Sequence, residues 1–303
     1  MRRKSARGHR LPGWLARLGL GHAGDDVPAL ARDVSDCVLG MAVGDALGVP
    51  FESRQRGTFR CEGMTGFGSH RQPAGTWSDD TSMVLALCDS YRELGRVDAD
   101  DIRERFRAWL REGAYTADGT VFDCGVTTGR ALRSGTGQGG AGDLGNGSLM
   151  RCLPMAFMDC TEADVRRVSA ITHASRDCSD ACVRMVRYAR KVLRTGHAGS
   201  ESGDEPGRSG GFVWDTYQAA IWCLEHTEGY RECALTAVNL GGDTDTTACV
   251  AGGLAGILYG SDEIPAAWLG ALRGREVIDA CLFGVRIGIR NSAMTPMTAK
   301  SLD

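Results

Sequence analysis

The chain has 303 residues, 43% of them hydrophobic and 24% charged, with a formal net charge of −3. That is enough apolar material for a large core and for one or two domains, and no linker composition divides it. The balanced charge leaves no footprint for nucleic acid, and twelve scattered cysteines without a CxxC pair read as reduced thiols of a cytoplasmic protein, not as a disulfide framework.

Residues 1–20 carry Arg2, Arg3, Lys4, Arg7, Arg10 and Arg17 and no acidic residue. Arg17 interrupts the apolar run from Leu11 to Leu20, which argues against a signal peptide. A disordered basic tail and a short amphipathic helix on Leu11, Trp14, Leu15 and Leu18 both fit this stretch. We therefore expect an extension over residues 1–33 and one domain over 34–303.

From Ala31 onward the pattern is helix after helix. Ile102, Phe106, Trp109 and Leu110 share one face of a segment that opens at Asp98 and ends at Gly113. Thr161 and Asp164 form a capping box ahead of Val165, Val168 and Ile171. Residues Asp180 to Leu193 and Trp214 to Leu224 are similar, and alternating strand patterns are nearly absent. The glycine-rich stretches Ser134 to Gly147 and His197 to Gly211 read as loops, the second as a solvent-facing insertion without a catalytic part. No apolar stretch reads as a membrane span. The best candidate, Ala248 to Tyr259, is short and suits a closely packed buried helix. The expectation is an all-α orthogonal multi-helix bundle.

Two hydroxyl-rich acidic clusters stand apart, Thr76-Trp-Ser-Asp-Asp-Thr81 and Gly241-Gly-Asp-Thr-Asp-Thr-Thr247. Each runs into an apolar helical pattern, so capping alone would explain either one. Two of the same make-up point further, to a shared site for a hard cation such as Mg²⁺ or Mn²⁺, because buried carboxylates need compensation. A dinucleotide-binding reading of the glycines at Gly40 to Gly48 fails, since no strand precedes them. Asp45 reads as structural, its carboxylate satisfying backbone amides at a helix end.

Five motifs in order carry a resemblance: Gly40-Met-Ala-Val-Gly-Asp-Ala-Leu-Gly-Val-Pro-Phe-Glu52, Ser78-Asp-Asp-Thr81, Gly145-Asn-Gly-Ser-Leu-Met-Arg151, Ile171-Thr-His-Ala174 and Gly241-Gly-Asp-Thr-Asp-Thr246. Over roughly residues 34–290 the chain resembles the ADP-ribosylglycohydrolases, most of all the bacterial members that activate dinitrogenase reductase by removing ADP-ribose from arginine. The resemblance implies metal-dependent hydrolysis of the N-glycosidic bond of ADP-ribosyl-arginine on a protein, with two Mg²⁺ or Mn²⁺ ions in a cleft. By position it implies Ser78, Asp79 and Asp80 as ligands of one ion, Asp243 and Thr246 of the other, and Asp245 between them. Glu52 is implied as a general acid/base or water-orienting group, against the alternative of a solvated loop glutamate. Asp123 is implied beside the leaving guanidine, with Asp79 and Asp245 also in the catalytic set. Val126 stands where relatives have Asn, which removes a hydrogen-bonding group. Asn146, Gly147 and Ser148 are implied as a loop against ribose and diphosphate, and His173, late in a helix, as a substrate contact. Trp77 either stacks on adenine or fills the core.

Other readings stay open. O-linked ADP-ribose on serine is an alternative substrate. Some members of this fold have lost metal ligands and serve as binding or structural proteins, but here every implied ligand position keeps an oxygen donor. Immunity-type relatives also block an ADP-ribosyltransferase with an N-terminal arm, and the basic extension could act so. Neither nucleic acid nor membrane is expected as a partner.

Overall fold

The computed structural model describes residues 32–284, and among them it contains 11 α-helices and no strand. In chain order these are α1 (Val34–Gly48), α2 (Asp79–Leu94), α3 (Ala99–Glu112), α4 (Val126–Ser134), α5 (Glu162–Ala170), α6 (Arg176–Thr195), α7 (Val213–Glu225), α8 (Tyr230–Asn239), α9 (Thr244–Tyr259), α10 (Ala266–Ala271) and α11 (Arg275–Cys281). The all-α bundle is as expected. The basic extension, apart from Arg32 and Asp33, lies outside the described residues.

The pair α1 and α9 forms the centre. Every residue of α1 except Ser35 is buried, as its all-round apolar sequence requires. Gly40, Gly44 and Gly48 recur every four residues and so share one face, and that face meets α9 backbone to backbone. A Cβ on Gly40 would lie 2.3 Å from the Gly252 carbonyl oxygen, one on Gly44 2.0 Å from that of Ala248, and one on Gly48 2.4 Å from the Asp245 Cα. The Thr244 hydroxyl donates to the Gly48 carbonyl at 2.8 Å, which fixes the end of α1 against the start of α9. Asp33 and Asp36 close a capping box at the start of α1, and Asp36 also accepts from the Ser261 backbone at 2.8 Å.

Several local expectations hold. Helix α3 opens at an Asp98 cap and closes at a left-handed Gly113. Helix α5 opens on the full Thr161/Asp164 capping box. All twelve cysteines are free, and all but Cys124 are buried. Trp77 fills core, with its indole N–H on the Tyr115 carbonyl at 3.2 Å.

Others need correction. Helix α6 starts at Arg176, before Asp180, because the Ser175 hydroxyl caps it by accepting from the Cys178 backbone. Helix α5 stops at Ala170, so His173 lies in the turn that follows and not in a helix. Among the described residues the helical stretch that passes for a membrane span by length and composition is Val34–Phe51, with a mean hydropathy of 1.4, where Ala248 to Tyr259 was the expected candidate. It is long and apolar enough to cross a membrane, yet 83% of it is buried inside the bundle, which is what a central core helix shows.

Candidate active site

Two helix N-termini meet at one point. Asp45, in the last turn of α1, accepts from the backbone N–H of Ser78 at 3.0 Å and of Thr81 at 3.0 Å, and from the Thr81 hydroxyl at 2.6 Å. This is the structural role expected for it, and it pins the start of α2 on α1. Ser78 caps α2 and donates to Asp80 Oδ2 at 3.1 Å, and Thr246 of α9 donates to the same oxygen at 3.2 Å. Ser78, Asp80 and Asp245 thus form the floor, whereas Asp79, Asp243 and Thr246 face the cleft above it.

The electrostatics are one-sided. Burial pushes the Asp79, Asp80 and Asp245 carboxyls well above the usual range, and the neighbouring carboxylates push them further. Burial likewise raises Asp243, and raises Asp45 to about 6. Asp80 Oδ1 and Asp245 Oδ2 are buried without any hydrogen-bond partner. An ionised oxygen left so is strongly disfavoured unless a positive charge meets it. Asp245 belongs to two groups whose donor atoms lie within 4.8 Å of one another, one with Asp45 and Asp80, the other with Glu52, His70 and Asp123. Orphaned buried oxygens among carboxylates and hydroxyls fit a hard divalent cation.

The mouth of the cleft holds Glu52, His70 and Asp123. Glu52 is no solvated loop residue: it lines the cleft and pairs with His70 Nε2, while Asp123 Oδ2 lies 3.8 Å from the same nitrogen. The loop after Glu52 is tied to α9's approach by Ser53 N–H to Gly242 O at 2.7 Å and Gly242 N–H to Arg54 O at 2.8 Å. Asp123 has a left-handed backbone, φ 54°, a conformation that Asp tolerates better than most residues. Burial and the Glu52 charge raise the Asp123 carboxyl, and the bond to Glu52 raises His70. Val126 stands 80% exposed at the rim.

The remaining wall comes from Gly145, Asn146, Gly147, Met150 and His173. Asn146 spends both amide hydrogens inside the protein, on Thr216 Oγ1 and Asp243 Oδ2, each at 2.8 Å, so it orients Asp243. Gly147 packs against His173: a Cβ there would lie 2.6 Å from the ring's Cε1. Ser148 does not reach the cleft, because its buried hydroxyl meets Ser169 and Cys182 in the core. Burial and the nearby Arg151 charge lower His173 to about 3, so the ring is neutral. The cleft encloses about 240 Å³.

The loop His197 to Gly211 was expected to take no part, and its end does. Ser209 O accepts from the Asp243 backbone at 2.8 Å, Gly211 O accepts from Asn146 at 3.1 Å, and Gly211 lines the cleft. Sequence reasoning missed this and also missed His70. The available signal for His70 was only a polar residue in a glycine-rich loop before the first acidic cluster.

A helical bundle that turns two carboxylate-headed helices onto the floor of one cleft defines an enzyme that works with acidic groups on a polar substrate. The ADP-ribosylglycohydrolase family profile matches residues 26–207 and 198–292, and the chain belongs to this family of hydrolases acting on glycosidic bonds. It is similar to the ADP-ribosylarginine hydrolase Tri1 of Serratia proteamaculans (strain 568), 31% identical over 276 residues, covering 80% of this chain and 75% of the relative. It is also similar to the ADP-ribosyl-[dinitrogen reductase] glycohydrolase of Rhodospirillum rubrum, 34% identical over 265 residues, covering 77% and 88%. A solved structure described as an ADP-ribosylglycohydrolase-related protein complex superposes with a TM-score of 0.67 at 32% identity, covering 82% of this chain and 95% of that one.

Proposed function

We propose that this chain hydrolyses the N-glycosidic bond of ADP-ribosyl-arginine on a modified protein, with two Mg²⁺ or Mn²⁺ ions as cofactors. The observation that carries the metal requirement is the pair of buried, partnerless oxygens on Asp80 and Asp245. Ser78, Asp79 and Asp80 would hold one ion, Asp243 and Thr246 the other, with Asp245 shared. The ions would offset the carboxylate charge and orient the ribose hydroxyls.

The protein's own groups divide the remaining work. Asp123 carries a raised carboxyl at the mouth, suited to hydrogen-bonding and protonating the leaving guanidine as the C1–N bond breaks. Glu52 would orient the incoming water and take its proton, and His70 holds Glu52 and Asp123 in register. The carboxylates around the cleft stabilise the positive charge that develops on the ribose ring. His173 and the Gly147 backbone would receive the rest of the ADP-ribose. Arginine linkage is favoured over serine by the similarity to a relative named as an ADP-ribosylarginine hydrolase and by the carboxyl of Asp123 in the cleft lining, which suits a guanidine leaving group. Twelve unpaired thiols suit a reducing cytoplasm.

The test is release of ADP-ribose from arginine- and serine-linked ADP-ribosyl peptides, with Mg²⁺, with Mn²⁺ and after exhaustive chelation. Cleavage of the arginine peptide that disappears on chelation is expected. Faster cleavage of the serine peptide would overturn the linkage, and full turnover in protein verified metal-free would overturn the cofactor assignment.

A further inference from the structure

Arg151 closes the third motif, and the function proposed above gives it no task. It is completely buried, with its guanidinium 4.8 Å above the Phe106 ring. It donates to the Gly147 carbonyl, to Val168 O at 3.3 Å and to the Thr172 hydroxyl at 2.8 Å. One side chain thus ties the Gly147 wall of the cleft to the turn that carries His173. The Thr172 hydroxyl in turn lies 2.9 Å from His173 Nδ1.

The direction of each bond in this chain is forced. Arginine has only donors, so the Thr172 oxygen accepts from Arg151. Thr172 is sealed from solvent, and the partner left for its hydroxyl hydrogen is His173 Nδ1. Nδ1 must then accept, and in a neutral imidazole the proton sits on the other nitrogen. The reverse arrangement, with Nδ1–H donating, would leave the threonine hydrogen buried without an acceptor, a loss on the scale of a full hydrogen bond. Nε2 lies against the Gly145 and Gly147 backbone at the cleft wall and has no protein partner among the described residues. Backbone bonds hold the turn on both sides, from the His173 N–H to Ser169 O at 2.9 Å and from Ala174 N–H to Gln138 O at 2.6 Å.

We propose that Arg151 and Thr172 are positioning residues that lock His173 as the Nε2–H tautomer, so that the ring meets the ligand as a hydrogen-bond donor to an oxygen of ADP-ribose. Asn146 has no amide hydrogen left to give, which makes His173 Nε2–H the side-chain donor of that wall. The ring is neutral across the working pH range, so it donates without a charge that would have to be desolvated on binding. The choice of ADP-ribose as ligand rests on the proposed function, whereas the tautomer does not.

Long-range proton–nitrogen NMR on the full chain with labelled histidine reads the tautomer directly, the His173 signal being assigned by its loss in His173→Gln. A neutral ring with its proton on Nε2 and a hydrogen-bonded Nδ1 is expected at pH 7. A ring protonated on Nδ1, or on both nitrogens, overturns the proposal. Thr172→Val removes the hydroxyl at constant shape. It should shift the Nδ1 resonance toward that of an unbonded nitrogen and weaken ADP-ribose binding about 2- to 10-fold, the range of one neutral hydrogen bond. Thr172→Ser should restore both, which loss of packing alone would not explain. An unchanged Nδ1 resonance and unchanged affinity in a folded Thr172→Val protein would overturn the proposal. If that variant does not fold, the wild-type spectrum decides alone. An Nε2–H ring in a protein that does not bind ADP-ribose would refute the proposed function and leave the positioning role standing.

Discussion

Replacing Gly44 with alanine would put a methyl carbon 2.0 Å from the Ala248 carbonyl oxygen, 2.6 Å from its carbon and 3.1 Å from the Cys249 nitrogen. All three are backbone atoms, so no side chain can swing away. Ordinary contact begins near 3.4 Å, and α1 and α9 would have to separate by about 1.4 Å. Overpacking of this kind costs about 1–3 kcal/mol, against a gain of up to about 1 kcal/mol from the better helix former. We expect a net loss of about 1–2 kcal/mol, read as a fall in Tm of about 2–8 °C for a domain of this size. The functional effect should be larger. Asp245 precedes Ala248 by one helical turn, so the separation moves it away from Asp45 and Asp80, and displacements of about 1 Å in a catalytic constellation can lower rates about 100-fold. Scanning calorimetry and ADP-ribose release measure the two effects. Gly203→Ala, where a Cβ meets nothing within 4 Å, is the control and should match wild type. A Gly44→Ala protein that melts within 1 °C of wild type with full activity would refute the idea that backbone contact between α1 and α9 sets the carboxylate geometry.

Adding Mn²⁺ or Mg²⁺ to stripped protein should raise Tm by mass action, and Asp245→Asn should abolish that rise as well as turnover. The metal-free protein should lose stability as pH rises from about 4 to 6 and beyond. Its buried carboxyls, Asp45 at about 6 among them, bind protons more tightly folded than unfolded, so the folded state is favoured at the acid end. Urea midpoints in chelator at pH 5 and pH 7.5 check the sign, and a higher midpoint at pH 7.5 contradicts it. His70→Ala should lower kcat/KM at least 10-fold by freeing Glu52 and Asp123, with little change in Tm because the ring is partly exposed at the cleft mouth. Deleting residues 1–30 should leave hydrolysis of a small ADP-ribosyl-arginine substrate unchanged, since the Asp33/Asp36 capping box closes α1 without them. Loss of folding in that truncation would show that the extension belongs to the core.

Much of this was legible because helices announce themselves locally. The Asp98 cap, the Thr161/Asp164 box and the closing Gly113 lie within a few residues of what they terminate, and the structure keeps each. The paired acidic clusters were legible for the same reason, since carboxylates heading helices are conspicuous in one dimension. What stayed hidden depends on contacts between distant segments. Nothing near His70 signals that Glu52 and Asp123 will flank it, and nothing in the glycine-rich stretch before Phe212 signals that Ser209 will hold the Asp243 backbone. Ser148 shows the converse. It sits inside a motif that reads as ligand-binding, yet its hydroxyl is taken up in the core by Ser169 and Cys182, residues far away in sequence.

The bond between Thr244 and Gly48 joins residues 196 positions apart, and this separation constrains the order in which the protein can be made. During synthesis α1 emerges early, apolar on every side, with the helix that will cover it still untranslated. Until α9 leaves the ribosome, this apolar helix lacks its main cover, which exposes the nascent protein to aggregation or to capture by chaperones. No fragment ending before α9 should be active, because the two halves of the acidic floor lie 166 positions apart in the chain. Two separately expressed pieces, divided in the 197–207 stretch, should for the same reason be inert alone and regain function only on mixing.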